Sequence, residues 1–500
     1  MHYDVFIIGG GVNGCGVARD AAGRGFKVGL AEMNDIASGT SSASTKLIHG
    51  GLRYLEQYAF RLVREALMER EVIWHIAPHI VRPLRFILPY HKGLRPKWML
   101  RFGLFIYDHL GGSKELKKTT VVDFAKETED PLKAGYKQGF EYSDEQVDDA
   151  RLVVLNARHA KELGADIMVR TKVLSAKIID KKWHIELKNT LTGEEKTITA
   201  SFLANMAGPW IDHILKDVAE ISGHPQIRLV QGSHIVVPKL YNHDRAYIFQ
   251  NPDGRIIFAI PYQEDFTLIG TTDRDYHDDP KDVKISDEEI EYLCNASSEY
   301  FAQKITRDMI VWSYSGVRSL YDNGAASAQK TTRDFVLKLA DENADAPLLS
   351  SYGGKITTYR KLSEDVMEYV EKYLGTRKAA WTGAIPLPGG NFPHGRLDLI
   401  QDGIKKVLPD LDDFTIRRLA RSYGTDALVI FEQGDKPLGR HFGHGLYEAE
   451  VDWLIKEEWA IDWQDILWRR SKLGLWFKDN EIEPLKTYLE QRNISASKGA

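Results

Sequence analysis

The stretch Tyr3-Asp4-Val5-Phe6-Ile7-Ile8-Gly9-Gly10-Gly11-Val12-Asn13-Gly14 decides the fold of this chain. Residues 3–8 form a nearly continuous apolar run, the pattern of a strand buried on both faces of a parallel sheet. A glycine turn follows, then an Ala-rich helical stretch to Ala22, a second apolar run from Val28 to Ala31, and an acid, Glu32. That order is a complete strand–turn–helix–strand unit of the dinucleotide-binding kind. Gly9, Gly11 and Gly14 fit G-x-G-x-x-G. Gly9 permits the tight turn, Gly11 lets the backbone approach a pyrophosphate, and Gly14 lets helix and strand pack closely. The helix N-terminus presents free N–H groups and positive dipole to phosphate. Glu32 stands where an acid accepts hydrogen bonds from ribose hydroxyls and disfavours a 2′-phosphate, so NADP fits poorly.

The rest of the composition bounds the answer. The 500 residues are 43% hydrophobic and 27% charged, which is globular rather than disordered composition. At roughly 150 residues per domain, two or three domains are expected. Lys plus Arg is 66 against 71 Asp plus Glu, a net charge of −5, without the basic excess of a nucleic-acid binder. The two cysteines, Cys15 and Cys294, exclude a disulfide framework and a multi-cysteine zinc or iron–sulfur site, and fit a reducing compartment. No metal site is predicted. No secretory signal is expected ahead of the first strand, and no apolar run approaches the ~20 residues of a transmembrane helix. The longest run, residues 255–262, is interrupted by Pro261.

Residues 55–77 carry helical spacing closed by Pro78, and 151–163 are again helical. Strands with polar turns are expected from Ile167 to Phe202. More follow from Ile227 to Ile269, with turns at Pro238, Pro252–Gly254 and Pro261–Glu264. Ser286 with Glu289 has capping-box spacing and opens a helix over 286–302. Pro386-Leu387-Pro388-Gly389-Gly390 reads as a linker, and 391–500 as a helical C-terminal domain.

The glycine motif leaves FAD and NAD both open. After Glu32 comes Ser38-Gly39-Thr40-Ser41-Ser42-Ala43-Ser44-Thr45-Lys46, small hydroxyl residues suited to pyrophosphate and ribityl oxygens. Leu47-Ile48-His49-Gly50-Gly51-Leu52-Arg53-Tyr54-Leu55 follows. Further along lie Arg95-Pro96-Lys97-Trp98-Met99, Glu141-Tyr142-Ser143-Asp144, Val147-Asp148-Asp149-Ala150-Arg151 and Ala207-Gly208-Pro209-Trp210. Gly232-Ser233-His234-Ile235-Val236-Val237-Pro238, Ile269-Gly270-Thr271-Thr272-Asp273, Tyr314-Ser315-Gly316-Val317-Arg318 and Gly353-Gly354-Lys355-Ile356-Thr357-Thr358-Tyr359-Arg360 complete the set. In this order and spacing the chain resembles the FAD-dependent glycerol-3-phosphate dehydrogenase family over nearly all its length, and the bacterial respiratory, membrane-associated branch most.

The resemblance implies an α/β and α+β architecture. A Rossmann-like FAD domain of the D-amino-acid-oxidase type would comprise residues 1–80, 145–220 and 341–388. A sheet-containing substrate and membrane-facing domain would comprise 81–144 and 221–340, and a helical C-terminal domain 389–500. It implies oxidation of sn-glycerol 3-phosphate to dihydroxyacetone phosphate, with electrons passed to a membrane quinone at the cytoplasmic face of a bacterial cell membrane. An oxidase of the same fold, reducing O₂ to peroxide, is the alternative. The calcium-binding extension and transit peptide of the animal enzymes are not expected here, nor is the oxidases' inserted segment. A homodimer is left open.

A dianionic phosphate ester calls for cations, and Arg53, Arg318, Arg333 and Lys355 are the candidates; arginine's planar fork suits phosphate. For Arg333 a surface ion pair is the competing reading. The C2 hydroxyl needs a proton acceptor, for which His49 and His234 are both candidates, with Tyr54 as a further donor. Gly354 permits approach to the isoalloxazine, and Lys355 with the helix start at Thr357 or Thr358 offers positive charge to reduced flavin. Thr40, Ser41, Ser42, Lys46, Leu47, His49, Ala207 and Gly208 complete the expected FAD contacts. Lys92, Arg95, Lys97 and Arg101 flank an aromatic and aliphatic run, Trp98 to Tyr107, which fits peripheral contact with anionic lipid.

Overall fold

The computed structural model describes every residue except 113–114, 128, 224–226, 252, 323–333, 342–344, 432–437 and 499–500; for 57 and 493–498 it describes the backbone alone. Two large sheets and a helical domain share the chain. In the first sheet the strands Leu348–Tyr352, Glu195–Asn205, His2–Ile8, Val28–Ala31 and Asp166–Met168 run parallel in that order. Val336–Leu339 adds an antiparallel edge, and the hairpin of Thr171–Ile179 and Lys182–Asn189 pairs with the early half of Glu195–Asn205. The helices Val12–Gly23, Asp149–Glu162 and Tyr359–Leu374 pack on one another through Cys15, Ala18, Val153, Ala157, Leu362 and Val366, all fully buried. The opening strand is buried along Val5–Ile8, as its unbroken apolar run requires.

The second sheet is mostly antiparallel: Arg274–Asp275, Ile227–Pro238, Phe266–Gly270, Ile256–Tyr262, Ala246–Gln250, Val81–Pro89, Gln138–Val147 and Leu47–Ile48. Trp312–Tyr321 pairs along the length of Ile227–Pro238. The helix Asp287–Ser298 covers one face. Ser286 accepts from the Glu289 N–H at 3.3 Å, and the Glu289 carboxylate accepts from the Ser286 N–H at 3.0 Å, the expected capping box. Lys97–Leu110 lies toward the other face and buries only Leu104 and Tyr107.

After the linker, Leu397–Val407, Asp413–Tyr423, Asp426–Phe431, Glu448–Glu458 and Glu483–Lys498 form a helical unit with its own core and a small hairpin, His441–Gly443 with Leu446–Tyr447. Buried ion pairs clasp it to the helix Asp149–Glu162 and to the loop after Val28–Ala31. Arg470 Nη1 meets Asp35 at 2.7 Å, and Glu458 pairs with Arg151, both with fully buried side chains.

Four expectations change. The helix predicted over 55–77 is a 3₁₀ segment, Leu52–Gln57, then a helix Phe60–Ile76, because Tyr58 turns left-handed at φ 57°. Pro261 lies inside a strand rather than at a turn, which falls instead at Gln263 and Glu264 with positive φ. The helix from Ser286 stops at Ser298. The sheets also cross the expected domain limits: Leu47–Ile48 joins the second sheet and Val336–Leu339 the first. The Pro252 turn position lies outside the described residues.

Candidate active site

The glycine turn and the segments around it form a cradle. Gly9 has φ +113°, and a Cβ there would meet the Met206 carbonyl oxygen at 2.6 Å. A Cβ on Gly14 would meet the Gly9 carbonyl oxygen at 2.0 Å, so helix and turn are in backbone contact. Gly11 caps the helix, and the following Val12 N–H donates to Ser41 Oγ at 3.0 Å, which ties the hydroxyl loop to the helix start. Glu32 closes this end. Its two oxygens accept from the Gly10 N–H at 2.7 Å and the Asn34 N–H at 2.8 Å, and burial pushes its carboxyl up despite both bonds. Gly208, at φ +55°, has open space where a Cβ would stand. Ala207 precedes it as the cap of Gly208–Trp210, and its N–H bonds to Asn205 Oδ1.

Gly353 and Gly354, at φ +73° and +102°, bring a distant segment to the same helix: Asn13 Nδ2 donates to the Gly353 carbonyl at 3.4 Å. Lys355 then caps the 3₁₀ turn Ile356–Thr358, in which Thr357 and Thr358 are buried. This set of positive-φ glycines, an acid and hydroxyl side chains fits a dinucleotide whose phosphates approach backbone; a side chain at Gly9 or Gly14 would collide with the turn itself.

Two clusters border the cradle. In the first, Thr357 Oγ1 accepts from the His49 N–H at 3.3 Å, and the Lys355 ammonium sits 3.9 Å from the centre of the Tyr54 ring. Burial, then Lys355 and Arg70, hold His49 down at about 4. Arg53 stands half-buried in the 3₁₀ turn Leu52–Gln57. In the second, Val230 pairs with Arg318 and His234 with Tyr314, so Arg318 and His234 project from the same face of the second sheet. The hydroxyl loop lies against that strand pair. Thr40 Oγ1 donates to the Val317 carbonyl at 2.6 Å, Tyr314 Oη donates to the Ser44 carbonyl at 2.8 Å, and Thr45 Oγ1 meets His234 Nε2 at 3.0 Å. Arg318 Nη1 donates to Asp273 at 3.1 Å. His234 is 1% exposed and stacks on Tyr314 at 4.8 Å; burial, then Lys46 and Arg318, keep it far below its ordinary value. It therefore stands neutral but walled in, whereas His49 is half-buried.

The ammonium of Lys46 is committed inward, 2.7 Å from Asp149 and 2.7 Å from the Ser42 carbonyl, with both charged side chains buried. It braces the hydroxyl loop from behind. Leu47 is core, packed with Val63 and Phe86. Ser42 bonds to the Gly39 carbonyl at 3.4 Å. Arg333 lies outside the described residues. Sequence reasoning missed Asn13, Asp149 and Asp273, and it named Thr45 only within the hydroxyl run, not as the partner of His234. Each acts through a partner more than thirty positions away, and a short polar side chain carries no periodic signal of that.

Residues 4–360 match the family described as FAD dependent oxidoreductase, and residues 380–490 the one described as the C-terminal domain of alpha-glycerophosphate oxidase. A glycerol-3-phosphate dehydrogenase of Pseudomonas aeruginosa is 48% identical, across 98% of this chain and 96% of that one. A D-erythritol 1-phosphate dehydrogenase of Brucella abortus is 46% identical, across 99% of both chains. The crystal structure of glycerol-3-phosphate dehydrogenase from Bacillus halodurans, complexed with FAD, superposes with a TM-score of 0.76 at 28% identity, covering 99% of this chain and 90% of that one. With cradle, sheets and C-terminal helices matched end to end, the chain belongs to the FAD-dependent oxidoreductase family and, within it, to the FAD-dependent glycerol-3-phosphate dehydrogenases.

Proposed function

We propose that this chain oxidises sn-glycerol 3-phosphate at C2 to dihydroxyacetone phosphate and delivers the electrons to a membrane quinone. One arrangement carries the reading: a dinucleotide cradle flanked by Lys355 and Arg318, each beside a histidine held neutral by burial. Bound FAD supplies the hydride acceptor. Arg318, Arg53 and Lys355 hold the phosphate dianion, with Asp273 fixing one arm of the Arg318 fork. Arg333 remains a fourth proposed cation. His49 takes the C2 hydroxyl proton, because it is neutral and less enclosed than His234, which positions the hydroxyl loop through Thr45. Lys355, steered by the Tyr54 face, adds positive charge where the ring system would meet Gly354.

We keep a three-part working division, with 1–80, 145–220 and 341–388 holding FAD, 81–144 and 221–340 presenting substrate and membrane surfaces, and 389–500 bracing both, except that Leu47–Ile48 goes with the second sheet and Val336–Leu339 with the first. Support for peripheral attachment comes from the helix Lys97–Leu110. Trp98, Phe102 and Phe105 are 68%, 58% and 57% exposed on one face, beside Arg95, Lys97 and Arg101. Cations beside exposed aromatics suit the interface of an anionic membrane. Among the described residues no helix is long and apolar enough to cross a membrane.

The test is anaerobic mixing of the FAD-loaded protein with glycerol 3-phosphate: the flavin should bleach. D-erythritol 1-phosphate belongs in the same experiment, since a relative of nearly equal identity bears that name. Faster bleaching with it would move the substrate assignment. The match to an oxidase C-terminal domain favours O₂ as the second reading for the acceptor. Stoichiometric peroxide without quinone reduction would establish that reading instead.

A further inference from the structure

Three side chains of metal-binding type that the candidate active site does not use meet from three separate segments. His75 lies in the last turn of Phe60–Ile76, Glu115 in the connection after Lys97–Leu110, and His394 just past the linker to the C-terminal helices. Both imidazoles address the one carboxylate. His75 Nε2 is 3.3 Å from Glu115 Oε1, and His394 Nε2 is 2.5 Å from Glu115 Oε2. The two rings lie 4.1 Å apart at 35°, and Trp74 packs its ring against His394 at 4.8 Å. One ligand atom from each residue falls within 4.8 Å of the others. The backbone beside His75 and His394 is held by hydrogen bonds. The Leu387 N–H donates to the Ile76 carbonyl at 2.8 Å, and the Arg396 N–H to the Pro393 carbonyl at 3.1 Å.

We propose that His75, Glu115 and His394 bind one divalent transition-metal ion of the zinc class, clamping the entry to the C-terminal helices onto the helix Phe60–Ile76. The ligand chemistry decides the class. Imidazole nitrogen with a single carboxylate suits Zn²⁺ and its late first-row neighbours, whereas Ca²⁺ and Mg²⁺ require oxygen shells. Ligand atoms around a tetrahedral zinc stand ~3.4 Å apart, given bonds of about 2.0–2.1 Å. The His75–Glu115 separation of 3.3 Å already matches. Each imidazole has to carry its proton on Nδ1, which frees the Nε2 lone pair for a shared ion in place of the hydrogen bond to the carboxylate, and at 34% side-chain exposure the His394 ring has room to turn. Three protein ligands leave the fourth position to water.

The test is calorimetric titration of the untagged, FAD-loaded full chain with Zn²⁺ in chelator-free buffer, beside Glu115→Gln and His394→Ala. The wild type should bind one ion per chain with a rise in Tm that EDTA reverses. Each variant should bind about a hundredfold more weakly, since even outer-shell losses cost ten- to a hundredfold. His394→Cys should restore binding, because a thiolate is also a zinc ligand. Flavin content and metal-free turnover should match wild type in all three. No binding by the wild type, or equal binding by Glu115→Gln and His394→Ala, overturns the site. Saturating binding without a change in Tm overturns the clamp.

Discussion

Gly232→Ala tests the position of Arg318 without removing it. A Cβ at Gly232 would meet Arg318 Nη2 at 2.9 Å and Thr271 Oγ1 at 2.8 Å. Ordinary contact for such atoms is about 3.5 Å, so the guanidinium has to move by roughly 0.5 Å. Of the two atoms struck, the Arg318 tip belongs to a flexible side chain and Thr271 Oγ1 to a short one, with the Thr272 carbonyl oxygen next at 3.3 Å, while strand pairing at Gly232 with Gly316 is kept; Tm and FAD content are therefore measured beside the kinetics and should stay near wild type. A misplacement of about 1 Å in a positioning group costs on the order of a hundredfold, and half that displacement about tenfold, or ~1.4 kcal/mol in kcat/KM. Arg318→Ala deletes charge-assisted hydrogen bonds outright and should cost more, about 1.5–3 kcal/mol for each bond lost. The assay is steady-state oxidation of glycerol 3-phosphate with a dye acceptor, with KM and kcat resolved for both variants. The expected order is wild type, then Gly232→Ala, then Arg318→Ala, with KM rising in step. Gly232→Ala kinetics indistinguishable from wild type, with Arg318→Ala strongly impaired, would refute the argument that this fork must sit where Gly232 leaves room. Wild-type kinetics in both would remove Arg318 from the substrate site.

His49→Ala should slow flavin reduction in an anaerobic single turnover by about a hundredfold or more, the usual contribution of a general base; unchanged reduction would exclude His49 as the base. Because burial and neighbouring cations hold its folded value at about 4 rather than 6.5, wild-type reduction at saturating substrate should stay flat as pH falls through 6.5, and an acid limb centred there would contradict the site described. Neutralising Arg95, Lys97 and Arg101 to Gln should reduce flotation with anionic liposomes, and equal flotation would dismiss that helix as the membrane contact. Glu458→Gln strands Arg151 in the seam beneath the C-terminal helices, and loss of one partner of a buried pair costs about 3–5 kcal/mol. A large fall in Tm is expected, and an unchanged melt would show that the seam does not hold the domain.

Much of this was legible in local pattern. The first parallel unit was readable because its residues announce themselves within thirty positions: an apolar run, spaced glycines, a terminal acid. Ser286 and Glu289 were readable for the same reason, since a capping box closes within one helical turn. Pro261 misled because a proline reads as a turn until its neighbours are known. The strand Ala246–Gln250 pairs only as far as Ala259, so at Pro261 that side of the ladder is open and no N–H is needed. Pro83 lies within Val81–Pro89, where pairing to Ala246–Gln250 is confined to Phe86 and Ile87. Tyr58 is not a glycine, so residue type does not mark its left-handed turn and the helical spacing of residues 55–77 runs through it unbroken.

The sequence by itself specified the strand, the glycine turn Gly9–Gly14, the helix after it and the acid Glu32 at the end of the second strand, because backbone clearance and a hydrogen-bonding acid are properties of residue type at short spacing. Its motifs also nominated the histidines and cations. Only the tertiary structure decided how they are used. His49 and His234 look alike in sequence, each beside apolar strand residues. One stands half-buried near Lys355 and the other is enclosed by Tyr314, Thr45 and Gly270. Lys46 was a cation among hydroxyls until Asp149 claimed its charge from across the chain. The physical reason is common to these cases: burial and charge pairing are set by what lies within a few ångströms in space, and strand pairing between distant segments fixes that.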